Sequence, residues 1–333
     1  MPPLPEVTET TSLGVFFLKC YWAQAHALRA GALLPSDPVR EKTFLHGLGL
    51  GIGETAQFLM HASPSIEEFE QWILARNGGS LEPAHVARLN AALIGQDASD
   101  PEIESAPDAL SAEDLSHWED QGYVVLRHAI TPEASCATAQ AILNSINADL
   151  RDPATWYQRR DDATIWVSLV HHSTLHTNRR SLRIRKALAQ LWRRNDIWIT
   201  VDRGGFNPPQ TERWRFPGPH LHWDVSLAPP VPFGVQGILY LTDTAAHQGA
   251  FRCVSGFHRK LNHWLSALPF DANPRDQNLE TLGPVAIAGR AGDLVLWREE
   301  LPHGASPNLA SLPRIVQYIT GHPSQWEINP VWR

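Results

Sequence analysis

The spacing of apolar residues over the first 95 positions predicts a small helical unit. Residues 65–68 read SIEE, a capping box that opens a helix, and Pro83 and Gly95 stand where a helix begins and ends. Four helices are predicted, over 11–28, over 43–61, from 65 to about 77, and from 83 to about 95. Alternate glycines at 47–53 weaken the helical pattern of the segment 43–61, because glycine is a poor helix former.

The pattern changes after residue 95. Residues 96–110 are acidic and contain two prolines, which is typical of a linker. From residue 111 a short helix, a strand at 122–127 and a helix from Pro132 are predicted. Strand-like apolar runs then recur between Gly and Pro turns, at 197–201, 235–241, 285–287, 294–297 and 315–319. Such short, turn-separated strands predict a β-barrel or sandwich in 111–333 with helices outside it.

Composition supports this division and excludes several classes of protein. The chain has 333 residues, 43% of them hydrophobic, and a net charge of −7, with −8 in residues 1–110 and +1 in 111–333. The lack of basic excess argues against nucleic-acid binding. Three scattered cysteines fit a reducing compartment. With no secretory pattern and no apolar run fit to span a bilayer, we expect a cytoplasmic protein that is not bound to membranes.

Two segments of the second part hold side chains suited to metal and carboxylate chemistry. Residues 218–226 read GPHLHWDVS, and on a strand His222 and Asp224 would point to the same face. With a second imidazole they would form a 2-His-1-carboxylate triad, which suits non-haem Fe(II). Farther along, His303 follows a predicted strand and Arg314 begins another. The planar guanidinium of Arg314 suits a carboxylate of a dicarboxylic acid.

Together these segments resemble the phytanoyl-CoA dioxygenase family of Fe(II)- and 2-oxoglutarate-dependent oxygenases. Supporting matches are WEDQGYVVL at 118–126, LYLTD at 239–243 and GAFRCVSGFH at 249–258. The resemblance spans about 111–320 and implies a double-stranded β-helix, the jelly-roll or cupin-like barrel. The expected fold is therefore mainly β with flanking helices and a small N-terminal helical unit. The domains are expected at 1–95, 96–110 (the acidic linker) and 111–333.

The resemblance also implies the roles of individual residues. His222, Asp224 and His303 would bind Fe(II), and Arg314 would pair with the distal carboxylate of 2-oxoglutarate. Tyr240, on the strand after the HxD motif, would line the cosubstrate pocket. The family often places Ser or Thr two residues after the distal His, where this chain has Ala305, so Ser306 is the candidate substitute. Because Asp224 is present, halogenation at a metal position left open for halide is not expected.

Candidates for substrate contact are five residues around the motif and before the barrel, namely Arg203, Arg213, Arg215, Trp223 and His172. A basic helix over 178–194 could instead face a phosphate-bearing substrate such as an acyl-CoA, or simply be solvated.

The sequence thus predicts a dioxygenase that uses Fe(II), 2-oxoglutarate and O2 to hydroxylate a small organic molecule, such as a carboxylate, an acyl-CoA or a natural product, releasing succinate and CO2. Two alternatives stay open, a non-catalytic metal- or metabolite-binding barrel acting as a sensor, and a cupin-like metal isomerase or hydrolase. Residues 1–95 are expected to pack on the barrel, to mediate a homodimer or to recruit a carrier protein.

Overall fold

The computed structural model describes residues 3–158, 164–269 and 271–333. The chain divides into two compact units. The smaller one comprises Met1–Ala106, Trp192–Val201 and Gly321–Trp326, and the larger one comprises Pro107–Leu191, Asp202–Thr320 and Glu327–Arg333.

The helices within the described residues lie in both units. They are α1 (Leu18–Arg29), α2 (Pro38–Gly47), α3 (Ile52–Gln57), α4 (Ile66–Arg76), α5 (Pro83–Leu93), α6 (Pro101–Ser105), α7 (Ala112–Gln121), α8 (Pro132–Ser145), α9 (Ser173–Arg179), α10 (Leu182–Trp192) and α11 (Leu261–Ala267). None of them is long and apolar enough to cross a membrane.

The strands are short and pair in an antiparallel manner. They are β1 (Tyr123–Leu126), β2 (Trp166–Val167), β3 (Ile197–Ile199), β4 (Gly204–Asn207), β5 (Val235–Tyr240), β6 (Phe251–Cys253), β7 (Val285–Ala286), β8 (Leu294–Arg298), β9 (His303–Ala305), β10 (Arg314–Tyr318) and β11 (Gly321–Pro323). In the larger unit, one sheet has the order β1-β8-β5-β10-β4-β2 and another the order β7-β6-β9. In the smaller unit, β11 pairs with β3.

Local sequence signals explain where several helices begin. The Ser65 hydroxyl accepts a hydrogen bond from Glu68 N (3.2 Å), and the Glu68 carboxylate accepts one from Ser65 N (2.7 Å). This confirms the predicted capping box, which satisfies donors that the first helical turn leaves free. Pro83 occupies the first position of α5 as predicted, because its fixed φ suits a helix start and its missing N–H is not needed there.

The prediction of one continuous helix over 43–61 is wrong. The structure has α2 and α3 in its place, followed by a π-helical turn at Phe58–Ala62. Gly49 lies between the two helices with φ +66°, a left-handed conformation that ends the first helix. Asp37, which accepts from Arg40 N, begins α2 five residues before the predicted start.

The proportions of the fold differ from the expectation of a mainly β chain. The structure is 38% helix and 14% strand, so the chain is mixed α and β. The five strands predicted after residue 190 are confirmed as β3, β5, β7, β8 and β10, but each covers only two to six residues. Helices α7 to α11 add most of the regular structure in the larger unit.

The HxD segment does not form the strand that was predicted for it. His222 makes only an isolated bridge with His303, and the residues around it are irregular. This segment approaches β9 very closely at Gly304. A Cβ at Gly304 would lie 2.5 Å from His220 O and 2.9 Å from Pro219 O, so only glycine fits there without movement of the backbone.

We predict that Gly304→Ala lowers the free energy of unfolding by about 1–3 kcal/mol, because the added methyl forces two backbones apart. Urea unfolding at constant slope measures this change. Gly53→Ala in α3 is the matched control, since a Cβ at Gly53 meets nothing within 4 Å. Equal stability of Gly304→Ala and the parent protein would contradict the close approach.

Candidate metal centre

Two histidines far apart in sequence are joined by a reciprocal pair of backbone hydrogen bonds. His222 N donates to His303 O (2.9 Å), and His303 N donates to His222 O (3.0 Å). His303 is also paired with Cys253 in the β6–β9 ladder, which ties the bridge to a sheet. The two imidazole rings consequently lie with their centroids 4.7 Å apart.

His222, Asp224 and His303 each offer one donor atom, and these atoms all lie within 4.8 Å of one another. The two Nε2 atoms face the Asp224 carboxylate, at 3.4 Å from Oδ1 for His222 and 3.3 Å from Oδ2 for His303. The side chains of His222 and Asp224 are 34% and 49% exposed but that of His303 only 4%, so the cluster is accessible from the His222 and Asp224 side.

Backbone carbonyls fix the orientation of both imidazoles. His222 Nδ1 lies 2.7 Å from His220 O, and His303 Nδ1 lies 3.0 Å from Leu301 O. A carbonyl only accepts hydrogen bonds, so each Nδ1 carries the proton. In the neutral rings both Nε2 lone pairs are then free to bind a cation, which is the arrangement that outer partners impose on metal-binding histidines.

The cluster shifts the pKa values of its own members. Burial raises the pKa of Asp224, but hydrogen bonds and charges from His222 and His303 outweigh it and hold that pKa well below its usual range. Burial lowers the pKa of His222, yet its hydrogen bond to Asp224 and the charge of that carboxylate raise it overall. Asp224 is therefore ionised at neutral pH.

Arg275 supports the chain on both sides of Asp224. Its Nη1 donates to Trp223 O (2.6 Å) and its Nη2 to Val225 O (2.7 Å). The same guanidinium donates to the carbonyl of Arg333 and lies 4.6 Å from the ring centroid of Trp332. The irregular segment that carries the carboxylate is thereby fastened without belonging to a strand.

Side chains on the sheet also contact Asp224. Gln236 Nε2 donates to Asp224 Oδ2 (2.9 Å), and the indole N–H of Trp297 donates to Gln236 Oε1 (3.0 Å). The Trp297 ring stacks on Phe251, with centroids 4.2 Å apart, and its centroid lies 5.2 Å from that of His303.

Arg314 is completely buried at the start of β10. No nitrogen of its guanidinium has a hydrogen-bond partner of normal geometry within the described residues. Directly opposite in β4 is Asn207, whose Oδ1 is buried and also lacks a partner within that part of the chain. Buried polar groups are nearly always paired, so the guanidinium of Arg314 indicates a place for a negatively charged ligand, whereas the Asn207 oxygen can only accept a hydrogen bond.

Tyr240 and Ser306 have hydroxyls that are engaged within the fold. The Tyr240 hydroxyl donates to Ile287 O (2.8 Å) and accepts from Phe251 N (3.0 Å). Burial raises the pKa of Tyr240 to about 12, with the nearby Arg314 charge acting in the opposite direction. The Ser306 hydroxyl donates to Ala250 O (2.9 Å).

The predicted substrate residues are less closely associated with the cluster. Arg203 pairs with Asp202 at 3.1 Å, and His172 is exposed and caps α9 by accepting from Thr174 N. Arg213 and Arg215 are exposed. Trp223 is buried, donates to Glu300 O and packs near Phe257 and Trp264.

Sequence reasoning did not identify Asn207, Gln236, Arg275 or Trp297 as parts of this site. The sequence carries one signal for Gln236, because alternation along a strand places it on the same face as Tyr240. The others gave none, because their partners lie on segments distant in sequence.

Comparison with known proteins agrees with this geometry. The sequence model of the family described as Phytanoyl-CoA dioxygenase (PhyH) matches residues 118–316. A Dictyostelium discoideum protein whose name assigns it to the same family is 21% identical over 259 residues, covering 62% of this chain and 74% of its own. The ectoine dioxygenase of Bordetella bronchiseptica is 22% identical over 249 residues, covering 67% and 79%.

Among solved structures, the non-haem α-ketoglutarate-dependent carbocyclase SnoK from nogalamycin biosynthesis is 18% identical, with a TM-score of 0.48, and the match covers 68% of this chain and 88% of that one. The family match extends over more than half of the chain and includes the HxD segment, His303 and Arg314. The chain therefore belongs to the phytanoyl-CoA dioxygenase family and is an Fe(II)- and 2-oxoglutarate-dependent oxygenase.

Proposed function

We propose that His222, Asp224 and His303 hold the Fe(II) of this oxygenase, that Arg314 binds the distal carboxylate of 2-oxoglutarate, and that the reaction is hydroxylation of a small organic molecule. The observation that carries the proposal is the coexistence of a convergent His-Asp-His cluster and a buried guanidinium that has no hydrogen-bond partner of normal geometry in the described chain. A metal site alone would not need the second feature.

The donor set of the cluster fits Fe(II). Two imidazole nitrogens and one carboxylate form the 2-His-1-carboxylate set, which leaves positions for a cosubstrate and O2. The ionised state of Asp224 and the Nδ1 protons of both histidines present the donor atoms in the form that a cation requires.

Arg314 fits the far end of a dicarboxylate. A buried guanidinium is costly unless an anion neutralises it, and its planar fork matches the two oxygens of a carboxylate. In this proposal the Tyr240 ring borders the same pocket, its hydroxyl being held by Ile287 and Phe251, and Ser306 lies near its edge.

Bound Fe(II) and 2-oxoglutarate supply the activation of O2, with release of succinate and CO2. The chain's contribution is positional. The His222–His303 bridge sets the spacing of two ligands, and Arg275 holds the backbone that carries the third. The apolar residues around Trp297, Phe251 and Tyr240 keep water from the buried side of the centre. The exposed side of His222 and Asp224 is where the substrate would approach.

In the same proposal, the two antiparallel sheets of the larger unit form the double-stranded β-helix of the family. Its domain is assigned to residues 111–333, the acidic linker to 96–110 and a separate helical unit to 1–95. The antiparallel pairing in both sheets supports this assignment. The helical unit is proposed to mediate a homodimer or to receive a carrier protein, which light scattering of the full chain and binding of an acyl carrier protein would test.

The substrate is proposed to be a carboxylate, an acyl-CoA or a natural product. Arg213 and Arg215, both exposed, and Arg203 are the cations offered for an anionic group on it. One representative of each class is incubated with the protein, Fe(II), 2-oxoglutarate and O2. With a true substrate, succinate should form from 2-oxoglutarate in equal amount to a product that is heavier than the substrate by one oxygen atom. His303→Ala is the control and should give neither product. Cosubstrate-independent product formation would contradict the assignment.

Arg314→Leu should weaken 2-oxoglutarate binding by about 100-fold or more, because two charge-assisted hydrogen bonds are lost. Metal affinity should stay within about twofold of the parent protein. The ligand-free variant should be no less stable than the parent, since a buried unpaired charge has been removed. Isothermal calorimetry and thermal unfolding measure these effects.

Arg213→Leu removes an exposed arginine and is the control. If Arg213→Leu loses affinity for 2-oxoglutarate and Arg314→Leu does not, the role of Arg314 is overturned.

Metal affinity should fall by about tenfold per pH unit once the pH drops below the pKa of His222, because one proton must leave that ring before a cation binds. Asp224 raises this pKa above the ordinary 6.5, so the loss begins above pH 6.5 as the pH is lowered. Co(II) titrations across this range give the profile, and an NMR titration of the His222 ring in metal-free protein should give the same midpoint. A midpoint below the ordinary value would contradict the coupling of His222 to Asp224.

A further inference from the structure

The side chain of Asp224 is more exposed than those of the two histidines of the cluster. Asp224 lies in an irregular segment, and its side chain is 49% exposed. An exposed carboxylate on such a segment has several rotamers available, of which few aim an oxygen between two imidazoles. A contact from outside the segment must select among them. Two are in place at Asp224 Oδ2: His303 Nε2 lies 3.3 Å away, and Gln236 Nε2 donates a shorter hydrogen bond of 2.9 Å.

The direction of the Gln236 amide follows from its other neighbour. The indole nitrogen of Trp297 only donates hydrogen bonds, and it lies 3.0 Å from Gln236 Oε1. A flipped amide would place two N–H groups against each other at Trp297 and an oxygen against the Asp224 carboxylate. Gln236 and Trp297 are direct partners across the β5–β8 ladder, so their spacing is fixed by the sheet.

Trp297 is itself fixed in the core. It is 5% exposed and stacks on Phe251, whose ring centroid lies 6.2 Å from that of His303. Apolar packing beside His303 thus sets the orientation of the Trp297 ring. The indole N–H in turn fixes the orientation of the Gln236 amide, which contacts Asp224.

We propose that Gln236, oriented by Trp297, is the positioning residue of Asp224. By holding Oδ2 it keeps Oδ1 facing His222 Nε2 and favours attachment of the metal through one carboxylate oxygen. Outer partners of this kind typically contribute 10–100-fold to metal affinity. This inference rests on the proposed function, in which Asp224 is a ligand of the metal.

The test is titration of the full chain with Co(II), which gives a dissociation constant and a visible spectrum sensitive to coordination geometry. Gln236→Leu should weaken Co(II) binding by about tenfold or more and change the spectrum. Trp297→Phe keeps an aromatic ring beside His303 but removes the N–H, and should weaken binding less. Because the two residues act in series, the double variant should bind no more weakly than Gln236→Leu, whereas independent effects would multiply.

A second variant at position 236 distinguishes a loss of metal binding from a loss of folding. Gln236→Glu has nearly the same shape but replaces the donor by an acceptor, and it should weaken Co(II) binding at least as much as Gln236→Leu at neutral pH. Gln140→Leu, which removes an exposed glutamine that donates to Asn144 on α8, is the matched control and should leave binding unchanged.

Two results separate this inference from the metal assignment itself. If Asp224→Ala loses Co(II) while Gln236→Leu and Gln236→Glu bind it within about twofold of the parent protein, the positioning role is overturned and the ligand assignment stands. If Asp224→Ala also binds normally, the ligand assignment is wrong. A purely structural role of Gln236 would lower the unfolding temperature without changing the Co(II) spectrum, and this outcome also overturns the proposal.

Discussion

The site depends on the reciprocal backbone hydrogen bonds between His222 and His303. Neither histidine belongs to a strand that pairs with the other along its length, so their relative position is set by these two bonds, together with one from Ala305 N to Pro219 O (3.0 Å). They require the two backbones to approach closely, which Gly304 permits because any side chain there would meet His220 and Pro219. The orientation of the two rings, the charges of the cluster and the position of Asp224 all depend on this backbone arrangement.

Asp224 and Arg314 have opposite surroundings in the fold. Asp224 accepts a hydrogen bond from the Gln236 amide and faces the Nε2 atoms of two imidazoles, which donate to it when the rings are protonated. Arg314 is completely buried, and no nitrogen of its guanidinium has a hydrogen-bond partner of normal geometry within the described residues. A carboxylate that is already stabilised is ready to hold a cation, and a guanidinium that is not stabilised is ready to receive an anion. This asymmetry is the physical basis for assigning one end to metal and the other to cosubstrate.

What the sequence could predict was local or carried by a familiar motif. The capping box at Ser65 and the proline at the start of α5 act within one helical turn, so both were predictable. The HxD motif and Arg314 were found from residue type and spacing. Asn207, Gln236 and Arg275 could not be found in this way, because each owes its role to a partner set by strand register or by a contact across the fold.

In its proposed role, the buried guanidinium of Arg314 would also link the lifetime of the protein to the supply of 2-oxoglutarate. A ligand that binds only the folded chain stabilises it more as the ligand concentration rises, with a logarithmic dependence, and a neutralised Arg314 removes a cost that the ligand-free fold bears. Proteases act on the small unfolded fraction, so modest changes in stability alter how much protein persists in a cell. The abundance of this oxygenase would then follow the supply of its own cosubstrate, with no regulator beyond one unpaired arginine.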